Sequence, residues 1–389
     1  MKKIIIVLLL VLPFVGNLAQ NTGGKVNSQS SLEVEGIDYN TYNTALVQQA
    51  ESGDAYAQNG LGVCFANGVG VTQDYAKAVE WFTKSAEQGY PAAQNNLGKL
   101  SYYGIGVTQD YAKAVEWFTK SAEQGNPDGQ YLLGICFYQG IVVSQDYAKA
   151  VEWFTKSAEQ GNPDGQFYLG NSYYLGTGVT QDYAKAVEWF TKAADQGQLV
   201  ALNNLGACYE SGYGVPQDLA KAFELYTKSA NLGFPMAQNN LGVCYQSGKG
   251  VSQDFSKAFE WYTQSANQGY PDAQNNLGLC YVLGVGVTRD YAKAVEWFTK
   301  AAEQGNPEAQ NNLALCYDRG DGVSKNPSKA VEWLTKSANQ GHPGALYRLA
   351  MCYENGYVVY RNHEKAKELI EKAANLGNKQ AKEALKNFE

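Results

Sequence analysis

The chain has 389 residues, 44% of them hydrophobic and 18% charged, with a formal net charge of −7. This is the composition of a soluble, folded protein. An acidic chain with no basic patch is not a nucleic-acid binder, because affinity for a phosphate backbone needs clustered Lys and Arg.

In chain order, Lys2 and Lys3 precede an apolar run from Ile4 to Val15, and the polar stretch NLAQNT follows. This is the pattern of a secretory signal peptide, and the run is too short to span a bilayer. Cleavage is expected after Ala19, which makes residues 1–19 the signal peptide and residues 20–35 a flexible leader. Loss of Lys2 and Lys3 takes the net charge from −7 to −9. No cysteine lies beside the cleavage site, so a lipid anchor is not expected. No later segment is long and apolar enough to cross a membrane. The expectation is an exported bacterial protein, periplasmic or extracellular, with no transmembrane segment after signal cleavage.

From residue 54 to residue 377 the chain is periodic. The segment DYAKAVEWFTK begins at Asp74, Asp110, Asp146, Asp182 and Asp290, always at multiples of 36 residues. Looser copies begin at Asp218, Asp254, Asn326 and Asn362. A fixed period of this length marks a repeat array that behaves as one quasi-one-dimensional object. Nine repeats fill residues 54–377. Residues 36–53 form an N-terminal half-repeat cap, and residues 378–389 form a C-terminal capping helix. Such ends cover apolar faces that would otherwise be open.

Residues 90–125, YPAAQNNLGKLSYYGIGVTQDYAKAVEWFTKSAEQG, show one unit. Pro91 suits the first turn of a helix, where its missing N–H has no role. Asn126, Asn162 and Asn306 stand before the equivalent prolines as N-caps. This first helix, A, is predicted to end near Tyr103, where Gly104 and Gly106 supply backbone of positive φ. At the second glycine site Val142 and Val358 are the exceptions. Asp110 caps the second helix, B. Tyr111, Ala114, Val115, Phe118 and Ala122 then form one apolar stripe, and Gly125 closes the helix. All seven Trp occupy one B-helix position and read as packing residues. Glu80–Lys84, Glu116–Lys120 and Glu152–Lys156 are predicted surface pairs. The predicted fold class is all-α, an α/α solenoid of about nine helix-turn-helix repeats.

Seven cysteines, Cys64, Cys136, Cys208, Cys244, Cys280, Cys316 and Cys352, share one phase of the repeat. Equivalent positions in stacked helices lie about 8–10 Å apart, and a disulfide needs Cα atoms within about 7 Å. They read as small buried apolar residues. No cysteine has a second Cys or a His at ligand spacing, so no metal site is expected. His342, in an N-cap place, and His363 have no such partner either. No nucleophile elbow, phosphate loop or zinc-protease motif is present. No catalytic residue and no cofactor is expected.

The unit resembles the Sel-1-like repeat (SLR) family, a relative of the tetratricopeptide repeat. The resemblance rests on Ala237, Leu241-Gly242, Tyr245, Gly248, Gly250-Val251, Asp254, Lys257-Ala258 and Trp261-Tyr262, and on the 36-residue period. It implies a right-handed α-solenoid (superhelix) that scaffolds protein complexes, often at membranes or in the bacterial envelope. Some cysteine-rich members are linked to β-lactam binding or hydrolysis and carry two disulfide-bonded cysteines in each repeat. This chain has at most one per repeat and none in repeats 2 and 4, so a β-lactam-binding or hydrolysing enzyme is the least expected reading.

Repeated residues carry the fold, so function is sought where copies differ. By analogy with tetratricopeptide domains the A helices line a concave groove. Asn96, Asn204, Asn240, Asn276 and Asn312 recur there as the second residue of an Asn-Asn pair. They resemble asparagines that hydrogen-bond the backbone of an extended bound peptide; local packing between helices is the alternative. Tyr131, Phe167 and Tyr168 interrupt this ladder. With Tyr102, Tyr103, Tyr138 and Tyr174 they form a candidate aromatic patch. The expected partner is a protein or peptide, and the chain an adaptor. The alternative partner is a cell-wall glycan or peptidoglycan fragment stacked on the patch.

Overall fold

A computed structural model describes residues 39–385. The expected signal peptide, the leader, residues 36–38 of the N-terminal cap and residues 386–389 lie outside the described residues. The described residues hold twenty helices and no strand.

The chain divides into two compact units, split after Pro216. The first begins with α1 (Thr44–Glu51), the capping half-repeat. A and B helices then alternate as α2 (Ala55–Asn67), α3 (Tyr75–Glu87), α4 (Pro91–Tyr103) and α5 (Tyr111–Glu123). They continue as α6 (Pro127–Gln139), α7 (Tyr147–Glu159), α8 (Pro163–Leu175), α9 (Tyr183–Asp195) and α10 (Leu199–Ser211). The second unit holds α11 (Leu219–Asn231), α12 (Pro235–Ser247), α13 (Phe255–Asn267), α14 (Pro271–Leu283) and α15 (Tyr291–Glu303). It ends with α16 (Pro307–Arg319), α17 (Pro327–Asn339), α18 (Pro343–Asn355), α19 (His363–Asn375) and the cap α20 (Lys379–Leu385). Within each unit every helix packs on its neighbours in sequence. The fold is all-α, with helix pairs stacked as in an α/α solenoid.

The sequence dictates these boundaries. Asp110 accepts from the Lys113 N–H, and Asn126 from the Gly129 N–H, so each caps its helix. His342 does the same through Nδ1, which accepts from the Ala345 N–H at 3.0 Å. Gly104 ends α4 in the left-handed conformation at φ 69°.

Inside a repeat, the glycine of each Leu-Gly pair seats an aromatic ring. A Cβ at Gly98 would lie 2.6 Å from the Phe118 ring. Gly134 with Phe154, and Gly242 with Tyr262, are built alike. Where Ala314 and Ala350 replace that glycine, Leu334 and Ile370 replace the ring. The pair conserves volume, as close packing requires.

Between repeats, polar groups form a relay that the sequence reading did not identify. Gln124 Nε2 donates to Gln94 Oε1 at 2.7 Å, and Gln94 Nε2 donates to the Ala86 carbonyl at 3.2 Å. The same relay recurs from Gln304 through Gln274 to the Ala266 carbonyl. Ser121, fully buried, donates to the Pro91 carbonyl at 2.7 Å. The Ala86 carbonyl lies in the last turn of α3, where orphan carbonyls collect, and the Ser121 bond satisfies a buried hydroxyl.

One local expectation needs correction. Only Glu116–Lys120, at 2.7 Å, forms among the three predicted surface pairs. Lys84 and Lys156 lie instead over the rings of Trp81 and Trp153, 4.1 and 4.0 Å from their centroids. The second glycine site keeps its positive φ even without glycine, at 64° for Val142 and 68° for Val358. A Cβ at the equivalent Gly106 would lie 2.5 Å from the Tyr75 carbonyl oxygen. Loop closure thus imposes a conformation that a β-branched residue adopts only under strain. The cysteines sit where expected. All seven are buried, and burial pushes the Cys136 and Cys208 thiols up to about 12.

Candidate protein-binding face

The A-helix C-termini and the first turns of the B helices form one surface of each unit. In the first unit this surface carries paired tyrosines. Tyr102 of α4 meets Tyr111 of α5 edge-to-face with ring centroids 4.9 Å apart. Tyr138 and Tyr147 repeat this at 5.0 Å, and Tyr174 and Tyr183 at 5.1 Å. Tyr213, in the loop after α10, stacks on Tyr183 at 4.9 Å and extends the row. A glutamine holds the first and third pairs. Gln109 Nε2 donates to the Tyr102 carbonyl and the Tyr111 hydroxyl, both at 2.9 Å. Gln181 Nε2 donates to the Tyr174 carbonyl at 2.8 Å and the Tyr183 hydroxyl at 3.0 Å.

The rings are partly open to solvent. Tyr111 is 42%, Tyr147 39% and Tyr213 40% exposed, while Tyr102, Tyr103 and Tyr138 are half-buried. Burial, and then the neighbouring Tyr111 and Tyr147, push the hydroxyl pKa values of Tyr102 and Tyr138 upward. These hydroxyls stay protonated at neutral pH and remain hydrogen-bond donors.

The other aromatics of the candidate patch turn inward. Tyr131 is 1% exposed and Phe167 2%, and Tyr168 and Tyr174 are also buried. Phe154 stacks on Tyr168 at 5.2 Å, and Phe167 on Phe190 at 6.1 Å. Phe167, Tyr168 and Tyr174 thus pack against rings of the B helices. Tyr103 packs edge-to-face on Tyr102 at 5.1 Å and stays at the surface. The sequence reading missed Tyr111, Tyr147 and Tyr213. Tyr111 was assigned to the packed stripe of helix B, but as the first residue of α5 it lies beyond the packed turns. Its recurrence opposite the A-helix tyrosines, nine residues earlier, was the available signal.

The asparagine ladder is a hydrogen-bonded seam between neighbouring A helices. Asn96 Nδ2 donates to Asn59 Oδ1 at 3.1 Å. Asn276 donates to Asn239, and Asn312 to Asn275, both at 2.9 Å. Asn204 is fully buried and accepts from Asn203 at 3.3 Å, while its own Nδ2 has no partner. Asn240, Asn276 and Asn312 are only partly buried. Where the next repeat has no amide to offer, an acceptor is orphaned. Asn95 faces repeat 3, where Leu132 stands at the ladder position, and Asn95 Oδ1 is buried without a partner.

Among the described residues no group of His, Cys, Asp and Glu is placed to hold a metal ion. No helix among them is long and apolar enough to cross a membrane. His363 lies 2.9 Å from Glu354 in an exposed pair.

A helix-pair repeat with a variable A-helix face is the architecture of a repeat scaffold. The family described as Sel1 repeat matches nine consecutive segments, residues 55–90, 91–126, 127–162, 163–198, 199–234, 235–270, 271–306, 307–342 and 343–378. The chain belongs to the Sel1 repeat family. A similar solved structure is c5321, a protective antigen present in uropathogenic Escherichia coli strains and displaying an SLR fold. It is 36% identical, with 90% of this chain and 82% of that one covered, at a TM-score of 0.60. A Sel1 repeat protein from Oxalobacter formigenes is 32% identical over 63% of this chain and 96% of its own, at a TM-score of 0.58. No curated protein matches this chain. Sel1 repeat proteins are in general protein-interaction scaffolds, and the fold is a non-enzymatic scaffold type.

Proposed function

We propose that this protein is an exported bacterial adaptor that binds a protein or peptide on the tyrosine row of its first unit. The observation that carries the reading is the run of three edge-to-face tyrosine pairs, in which Tyr102, Tyr111, Tyr138 and Tyr147 are partly open. Tyrosine supplies large contact area with little rotamer entropy to lose, and it dominates interface energetics. The hydroxyls of Tyr102 and Tyr138 are donors available to an extended backbone. The basic, then apolar start of the chain supports export, and the description of the uropathogenic relative as a protective antigen fits a location outside the cytoplasm.

The test is an affinity capture from envelope extract with the wild type and a Tyr102→Ala, Tyr138→Ala, Tyr147→Ala variant. Folding of the variant is checked by circular dichroism. A partner captured by the wild type and lost by the variant supports the reading. Capture of no envelope protein by the folded wild type would sink it. A glycan ligand is the weaker reading, because Tyr131, Phe167 and Tyr168 face inward and cannot stack on sugar rings. Saccharide titrations that quench tyrosine fluorescence would revive it.

A further inference from the structure

The last repeat carries a charge at the ladder position. At the ladder position of α18, where Asn276 and Asn312 stand in earlier repeats, the residue is Arg348. An amide here would donate to Asn311. Arg348 does not, and Asn311 Oδ1 and Arg348 Nη1 are both buried without a hydrogen-bond partner. Arg348 instead lines a cavity of about 440 Å³ between α16, α17 and α18. Leu315, Val331, Leu334, Met351 and Cys352 give that cavity apolar walls. Leu334, seated on Ala314, stands where Phe118 and Phe298 stand in other repeats.

Charge in the cavity is unbalanced. Arg319 lines it beside Arg348, and neither arginine forms an ion pair among the described residues. The one carboxylate in the lining, Asp318, accepts from the Tyr357 hydroxyl at 2.7 Å. Burial, and then the charge of Arg319, pull the Arg348 pKa down, and Asp318 offsets this in part. A guanidinium nitrogen buried without a partner is costly, and a carboxylate is its best complement.

We propose that this cavity binds a carboxylate carried on an apolar group: the C-terminal residue of a partner peptide that ends in an aliphatic side chain. Arg348 receives the carboxylate, with Arg319 adding attraction at the surface, and the side chain enters between Leu334 and Met351. The volume falls in the range of small-ligand pockets, roughly 300–1,000 Å³. The apolar walls select against a fully hydrated anion such as phosphate. The site lies in the second unit and does not rest on the tyrosine row.

The test is fluorescence anisotropy on the full chain with a labelled peptide ending in leucine, as the free acid and as the C-terminal amide. The free acid is expected to bind, and the amide to bind at least about tenfold more weakly. Arg348→Met should weaken the free acid by a similar factor, with Arg348→Lys intermediate. Because Arg348→Met could disturb packing, a second variant keeps both arginines. Met351→Trp puts a larger side chain into the cavity from its wall, so it should abolish binding. Equal binding of acid and amide, no binding of either at millimolar peptide, or undiminished binding by the filled variant would overturn the proposal.

Discussion

The two units share a framework and differ in what they place on their A-helix face. In the first unit the penultimate residues of α4, α6 and α8 are Tyr102, Tyr138 and Tyr174, each paired with a tyrosine that starts a B helix. In the second unit the same places hold Gln246, Val282, Asp318 and Glu354, and the face is marked by the amide seam of Asn276 and Asn312 and by the Arg348 cavity. The framework beneath is common: a ring seated on glycine, a capping Asp or Asn, a glutamine relay. Stacked units tolerate surface change because each touches only its neighbours. A packed ring tolerates none, because its volume is fixed on every side.

That contrast can be broken first at its foundation. Phe118→Ala should cost about 3–5 kcal/mol, seen as a lower urea midpoint. Gly98→Ala should cost about 1–3 kcal/mol through overpacking against the same ring. Adding Phe118→Leu to Gly98→Ala should recover most of the loss, because Ala314 and Leu334 already form that pair. If the double variant is no better than the sum of the singles, the volume rule is wrong.

A smaller effect separates the loops. Val142→Gly should raise stability by about 1–2 kcal/mol by relieving the left-handed backbone, while Val142→Ala should not. Thermal melts of the three chains decide it.

The seam of the second unit is predicted to be structural. Asn276→Ala leaves Asn239 Oδ1 without its donor and should cost about 1–3 kcal/mol. Tyr111→Ala, at an exposed ring of the first unit, should cost less, and chemical denaturation of both variants makes the comparison.

The buried thiols give a pH dependence. The Cys136 and Cys208 pKa values are raised from the ordinary 9.0 to about 12. A thiol held protonated in the fold contributes its full stability below pH 9. That stability is lost as pH rises toward 12. Urea midpoints should therefore fall between pH 9 and pH 11, and thiol reagents should react only as the protein unfolds.

Most of this framework was legible from the period. The caps at Asp110 and Asn126, the ends at Gly104 and Gly125, and the burial of the cysteines all follow from residue type and phase. The face was legible only in part. Periodicity says which residues lie on an A helix, but not how far a side chain reaches toward the next repeat. Tyr131 and Phe167 were placed on the right helices, yet they pack inward because repeats 3 and 4 have no ladder amides to fill that space. The spacing of Tyr111 fits the apolar stripe, but the helix begins there and leaves it uncovered. The glutamines of the relay recur with the period, but the period does not say which side chains meet across neighbouring repeats.

The most direct test of the account compares the two faces in one binding experiment. Envelope protein would be captured with the wild type, with Tyr102→Ala, Tyr138→Ala, Tyr147→Ala, and with Asn276→Ala, Asn312→Ala, each confirmed as folded. The account predicts that the tyrosine variant loses the partner and the asparagine variant keeps it. A partner kept by the tyrosine variant and lost by the asparagine variant would contradict it, and would move the binding face to the second unit.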